Sequence, residues 1–264
     1  MRISAILPTR GRKEPLLKSI QSLLDQADKP DQVEVLLGMD YDDEDTVEYV
    51  KTVILPQYPT VKLHMFPSYG YTKLNIYANA LAALATGRWL MLWNDDAIIQ
   101  NAGWDTTIDQ YESHPMPLLR MPVMYMSHPF ALFPIVKREW FEVVGTFSSY
   151  GHIDRFIYNV VSNIDWPRKH LWIVDIPVTV LHDRYDLTGN NNDETFQASV
   201  GNYLEGEPEN PMSDDYPPSF TTVLTATNKL IYYINTEMGG NMKLHDIANL
   251  PSVERVETQS HGAH

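Results

Sequence analysis

The feature that most constrains this chain is an alternation of strand-like and helix-like runs between residues 3 and 93. "ISAILP" (3–8) is apolar, rich in β-formers and stopped by Pro8. "KEPLLKSIQSLLDQA" (13–27) then places Leu16, Leu17, Ile20, Leu23 and Leu24 at helical spacing, with Pro15 in the first turn. "VEVLLGMD" (33–40) reads as a second strand. "DEDTVEYVKTVIL" (43–55) reads as a helix with acids in its first turn, where the helix dipole favours them. "VKLHMF" (61–66) is a third strand, and "TKLNIYANALAALATG" (72–87) a helix closed by Gly87 as a C-terminal cap. "RWLMLW" (88–93) is a fourth strand, ending at Asn94.

Strand and helix in strict alternation specify a doubly wound α/β sheet with mostly parallel strands. Such sheets bind ligands outside the carboxyl ends of their strands. Three of those ends are polar here: residues 9–12, 40–43 and 94–96. They are expected to converge on one crevice. At the third, "LWNDDAII" sets Asp95 and Asp96 side by side between apolar flanks. A solvated turn accounts for adjacent acids in general, but these flanks do not face solvent. A divalent cation offsets their repulsion, and hard oxygen ligands suit magnesium or manganese.

Beyond residue 100 the alternation loosens. Residues 121–145 suggest further strands and a short helix, "DRFIYNVVSNI" (154–164) a helix and "LWIVDIPVTVLH" (171–182) a strand. Residues 184–220 are polar and rich in Asn, Asp, Gly and Pro, a long loop or lid. Residues 221–238 read as a helix, and the remaining tail as loosely tethered. The organisation expected is residues 1–100 and 101–183 as two halves of one domain, and 184–264 as lid, helix and tail.

Charge and composition exclude several classes of function. The formal charge of −14 disfavours nucleic acid and anionic membranes, and the one basic cluster is "TRGRK". The chain has no cysteine, which rules out disulfides and thiolate chemistry. No apolar run approaches the roughly 20 residues of a membrane helix. A leader is also not evident, so a cytoplasmic location is the expectation.

Four segments together resemble the GT-A fold of glycosyltransferases, in particular family 2. "ISAILPTRGR" is similar to that family's opening strand and turn, and "VEVLLGMDYDDEDT" to its second strand and acidic turn. "NIYANALAALATGRWLMLWNDDA" is similar to its helix, strand and Asp-x-Asp segment, with Asn94 at the first Asp position. "FEVVGTFSSYGHIDRFIYNVV" is similar to its acceptor segment, with Ile153 where a Glu is usual.

The resemblance implies residues 1–100 as a nucleotide-sugar-binding half and 101–183 as an acceptor-binding half of one domain, with Pro8, Thr9, Arg10 and Arg12 along the base and phosphate pocket. It implies Asp40 accepting a hydrogen bond from the nucleobase, and Lys73, Asn79, Asn94 and Asp95 about the ribose and phosphates. Asp96 and His182 become metal ligands for manganese or magnesium, with Asp183 as an alternative. Asp154 becomes the catalytic base, although an acid opening a helix also serves as an N-cap. His152 is placed within reach of substrate. Trp93, Trp104 and Trp140 are candidates for stacking on a sugar or for the core.

The expected activity is metal-dependent transfer of a sugar, most simply from a UDP-sugar, to a glycan, lipid-linked or protein hydroxyl with inversion. Two alternatives stand beside it. One is a non-catalytic nucleotide- or glycan-binding domain, suggested by Asn94 and Ile153. The other is a sugar nucleotidyltransferase, against which "PTRGRKEP" offers only one glycine for a triphosphate loop.

Overall fold

The computed structural model describes residues 2–127, 130–164, 171–198 and 220–238. Strands β1 (Ile3–Pro8), β2 (Val33–Asp40), β3 (Val61–Phe66) and β4 (Trp89–Leu92) form the parallel half of a seven-stranded sheet, in the order β3-β2-β1-β4. The connecting helices are α1 (Lys13–Asp25), α2 (Glu44–Tyr49), α3 (Leu55–Gln57) and α4 (Leu74–Leu84). Between α2 and α3 the chain passes through a π turn, Val50–Ile54. Pro56 follows at once and has no N–H to donate back into an α-helical ladder.

The second half adds β5 (Ala97–Ile99), α5 (Trp104–Asp109), β6 (Leu118–Arg120), β7 (Ile135–Lys137), α6 (Arg138–Val144) and α7 (Ile153–Ser162). It continues with β8 (Ile173–Asp175), β9 (Val180–His182), α8 (Tyr185–Thr188) and α9 (Phe220–Glu237). β7 pairs antiparallel with β4, and β6 and β8 complete the sheet in the order β4-β7-β6-β8. The sheet is mixed but mostly parallel, as expected. No helix among the described residues is long and apolar enough to cross a membrane.

The two-residue period of the strands divides the core into two layers. Ile3, Ala5 and Leu7 of β1 join Leu16, Ile20 and Leu23 of α1 on one face. Ile6 joins Leu36, Leu90, Leu81 of α4 and the apolar sides of α6, α7 and α9 on the other. Covered on both faces, β1 and β2 are buried almost throughout, which explains their unbroken apolar spelling.

Two expectations are corrected here. "LWIVDIPVTVLH" is not one strand: β8 and β9 lie in different sheets, parted by a segment containing Pro177, which cannot donate to a ladder. Gly87 is not a helix cap, since α4 ends at Leu84 with Ala85 as its C-cap. Its lack of a side chain serves a close approach instead, because a Cβ there would stand 2.6 Å from both the Ser4 nitrogen and Oγ.

The break between β8 and β9 has a consequence for the site. β9 pairs antiparallel with β5 in register Ala97↔His182, and the Asp183 N–H donates to the Asp96 carbonyl at 2.7 Å. This small second sheet carries His182 to the end of β4. Of the lid, residues 184–198 are described and include α8; residues 199–219, like the tail from 239, lie outside the described residues.

Candidate active site

The ends of β1, β2 and β4 open on one cavity of about 630 Å³, in the range that holds a small-molecule ligand. Its wall includes Pro8, Arg10, Arg12, Asp40, Asn94, Asp95, Asp96 and His182, with Arg184 and residues 193–196 from the lid. The convergence expected from the three polar strand ends is therefore present.

Asp95 and Asp96 are 6% and 5% exposed, and the cation that balances them is Arg12, itself 5% exposed. One Arg12 nitrogen donates to Asp95 Oδ1 and to Asp96 Oδ2, both at 2.8 Å. The other edge of the guanidinium grips both oxygens of Asp193, again at 2.8 Å. Thr9 Oγ1 donates to the second oxygen of Asp95 at 2.7 Å. Burial pushes the Asp95 carboxyl up, opposed by Arg12 and reinforced by the charge of Asp96. Asp96 is buried as well, but His182 and Arg12 outweigh that cost and hold it below the usual carboxylate range.

One oxygen in this cluster is not held by Arg12. Asp96 Oδ1 is buried, and its partner is His182, whose Nε2 lies 3.0 Å from it. Adjacent ligands on an octahedral ion with bonds of about 2.1 Å also stand about 3 Å apart. A carboxylate oxygen and an imidazole nitrogen suit manganese, so the residues fit a divalent metal. Among the described residues no group of three His, Asp or Glu that could hold a metal occurs, so these two are the donors they bring. Asp183, the alternative ligand, lies outside the cavity wall, and its Oδ1 accepts from Thr188 and Asn190 at 2.7 and 2.9 Å.

At the β2 end, Asp40 is 4% exposed and lines the cavity. Its Oδ1 accepts from the Tyr77 hydroxyl, and its Oδ2 from Arg10 at 2.8 Å and Ser68 at 3.3 Å. Arg10 reaches Asp42 as well, and that pairing raises its already high pKa further.

Several residues proposed from the sequence fall elsewhere. Lys73 is exposed in the turn before α4 and is not part of the cavity wall, which takes Tyr71 and Leu74 from that segment instead. Asn79 faces away from the crevice. It donates to the Ser148 carbonyl at 2.7 Å, and its Oδ1 accepts from Thr146 Oγ1 and the N–H groups of Phe147 and Ser148. It thus joins α4 to the segment between α6 and α7. Trp93, Trp104 and Trp140 are at most 1% exposed and belong to the core, with no ring face open to a sugar.

Asp154 stands in the first turn of α7, outside the cavity wall, while His152 takes the N-cap position without a side-chain cap bond. The segment leading to it is pressed on the cavity rim. A Cβ on Gly151 would stand 2.7 Å from the Thr72 carbonyl oxygen, so only glycine allows that contact.

Asp193, Tyr77 and Phe196 were not foreseen. Asp193 sits in the polar run "GNNNDETF", whose composition signals a loop and nothing about its partner. Phe196 is the one large apolar residue of that run, and such an outlier in a polar loop is a signal for docking. It packs edge-on against Tyr185, with the Arg184 guanidinium 5.7 Å from its centre. Tyr77 lies in an Ala- and Leu-rich helix, where nothing in the spelling sets it apart as a site residue.

Comparison with known proteins agrees with this architecture. Residues 4–116 match the model of the family described as glycosyl transferase family 2. No curated protein matches the chain in sequence. Among solved structures, the mannosyltransferase PcManGT from Pyrobaculum calidifontis, in complex with GDP-Man and Mn2+, is similar with a TM-score of 0.54 and 13% identity, over 89% of this chain and 75% of that one. S. aureus TarS 1-349 in complex with UDP-GlcNAc is similar with a TM-score of 0.53 and 13% identity, over 89% of this chain and 73% of that one. The same protein in complex with UDP gives a TM-score of 0.52 and 12% identity, over 96% and 99% of the two chains. At these identities the structures speak for the fold alone: the chain has the GT-A fold, and the match of residues 4–116 to the glycosyl transferase family 2 model supports a glycosyltransferase.

Proposed function

We propose that this chain transfers a sugar from a nucleoside diphosphate, most simply UDP, to a hydroxyl of a glycan, lipid-linked or protein acceptor, with a divalent metal and inversion at the anomeric carbon. The observation that carries the reading is the buried pair of Asp96 Oδ1 and His182 Nε2, 3.0 Å apart on the cavity wall.

Charge supports the need for a metal. Three arginines on the wall face six carboxylates. A diphosphate entering such a cavity is repelled unless cations enter with it. Asp96 and His182 would hold the metal, and the metal would stabilise the charge that develops on the departing diphosphate. Arg12 keeps the acid pair paired and oriented. Asp40 meets the base, and Arg10 beside it adds positive charge. The resemblance gives Asp154, in the first turn of α7 outside the cavity wall, the part of taking the proton from an acceptor hydroxyl that would approach from that side, opposite the leaving group.

The test is release of nucleoside diphosphate from a panel of nucleotide sugars with manganese, with and without acceptors. Release that is lost in Asp96→Ala and reduced in Asp154→Asn supports the reading. Metal-dependent nucleotide binding without turnover on any donor would replace it with a binding domain. Pyrophosphate formed from a sugar phosphate and a nucleoside triphosphate would replace it with a nucleotidyltransferase.

A further inference from the structure

An arginine carries five N–H groups, and Arg12 spends four of them on three carboxylates. Nε and Nη2 each bind one oxygen of Asp193, and Nη1 serves both Asp95 Oδ1 and Asp96 Oδ2. A guanidinium meets a carboxylate most strongly through two parallel bonds. Asp193 receives that paired grip, while Asp96 receives a single bond from the same side chain. Asp96 Oδ1 is thereby left to His182, whose Nε2 lies 3.0 Å away.

Asp193 is fixed in turn by its own loop. Its Oδ1 accepts the Phe196 N–H at 2.9 Å, and its N–H donates to the Asn191 carbonyl at 3.0 Å. The Asn191 side chain donates to the carbonyl of Asp183, the residue after His182. The Asp193 side chain is a third exposed, whereas those of Arg12 and Asp96 are almost wholly buried.

We propose that Asp193 is a positioning residue for the metal: by holding the Arg12 guanidinium side-on it keeps that group off Asp96 Oδ1 and raises the metal affinity of Asp96 and His182 without touching the ion. The inference rests on the reading of that pair as the metal site.

Arg12 and a divalent cation compete for Asp96. Without Asp193, Nε and Nη2 of Arg12 lose their partner inside a buried cluster, and unpaired buried donors are costly. The nearest carboxylate oxygen that Arg12 does not already hold is Oδ1 of Asp96. A turn of the guanidinium that closes a second bond there restores a paired grip. A cation then has to displace a charge-assisted bond before it binds, and a positive charge stands closer to its site. Asp95 has no such part, because it takes only Nη1 and leaves the opposite edge on Asp193.

The experiment measures manganese uptake by the full chain, without nucleotide, from the paramagnetic resonance signal of the free ion. Asp193→Asn is expected to bind manganese about fivefold more weakly than the parent, less than the loss of a ligand. Arg12→Lys keeps the charge that the acid pair needs but has no fork to turn. In that background Asp193→Asn should change manganese affinity by less than about twofold. If Asp193 only builds the cavity wall, Asp193→Asn weakens nucleotide binding and leaves manganese affinity unchanged, which would overturn the proposal. An equal loss in the Arg12→Lys background would also overturn it, because the effect would not run through Arg12. In either case, uptake by the parent that is lost in Asp96→Asn leaves the metal site standing. No uptake by the parent chain would overturn the metal reading and this inference together.

Discussion

Arg12 and Asp193 lie 181 positions apart and meet through two parallel hydrogen bonds of 2.8 Å. The same guanidinium holds Asp95 and Asp96 on its other side. One buried cation therefore ties the start of the lid to the acid pair. Asp193 also receives the Phe196 N–H on its Oδ1 at 2.9 Å, and the Gln197 N–H reaches its carbonyl at 3.0 Å. The carboxylate that grips Arg12 is thus the one that caps the lid's own helical turn.

Asp193→Asn tests that tie. The variant keeps a capping oxygen but loses the paired charge-assisted bonds. Residues 193–196, which wall the cavity, should loosen, and nucleoside diphosphate should bind about tenfold more weakly, about 1.4 kcal/mol. Limited proteolysis should cut between residues 184 and 198 faster than in the parent, while the thermal midpoint moves little. An unchanged cleavage rate would mean that Phe196 and Arg184 hold the segment without the ion pair.

Metal binding is expected to depend on Asp96 and His182 and not on Asp95, whose two oxygens are engaged by Thr9 and Arg12. Free manganese measured by its paramagnetic resonance signal should show uptake by the parent chain. Asp96→Asn or His182→Ala should lower that affinity by at least roughly tenfold, since losing a ligand costs more than losing an outer partner. Equal loss in Asp95→Asn would place the ion between the two acids instead.

These contacts also show what a linear reading can and cannot reach. The parallel half was legible because β1 and β2 are covered on both faces, and burial on two sides forces an apolar spelling. Asp95 and Asp96 stood out because acids inside such a spelling require a compensating charge. That the charge is Arg12 was not legible, because the pairing depends on how far α1 sets its first residues across the end of β4. Asp193 was further out of reach, its partner lying 181 positions away in a loop with no periodicity to place it. Asn79 illustrates a different failure. Its position in the helix pattern was right, but a one-residue-per-100° rotation decides which face it occupies, and that face meets the turn at 146–148.

Asn79→Ala separates those two readings. The substitution removes one donated and three accepted hydrogen bonds and leaves the N–H groups of Phe147 and Ser148 without that partner. Stability should fall by roughly 2–3 kcal/mol in denaturant titration. Nucleotide affinity, measured well below the new midpoint, should stay within about twofold. A large selective loss of nucleotide binding with little loss of stability would return Asn79 to the ligand site.

Glu34 sets an acid limit on the fold at the end of the sheet away from the cavity. It is fully buried, yet Lys62 at 2.5 Å, Ser4 at 2.6 Å and both the N–H and hydroxyl of Thr86 donate to it. Burial alone would raise its pKa, but these donors outweigh burial and hold it at about 2, against 4.5 when unpaired. A carboxyl depressed in the folded state binds protons more readily when unfolded. Its contribution is therefore complete above about pH 4.5, declines as the pH falls, and is gone once the folded group is protonated near pH 2. The size at neutral pH is roughly 3 kcal/mol. Other acids titrate in the same window, so the measurement is a comparison: unfolding free energies of the parent chain and Glu34→Gln from pH 7 to pH 2.5. The gap between the two should be widest at pH 7 and narrow steadily below pH 4.5. A gap that stays constant across the range would show that Glu34 acts through packing and hydrogen bonding, with no linkage to its ionisation.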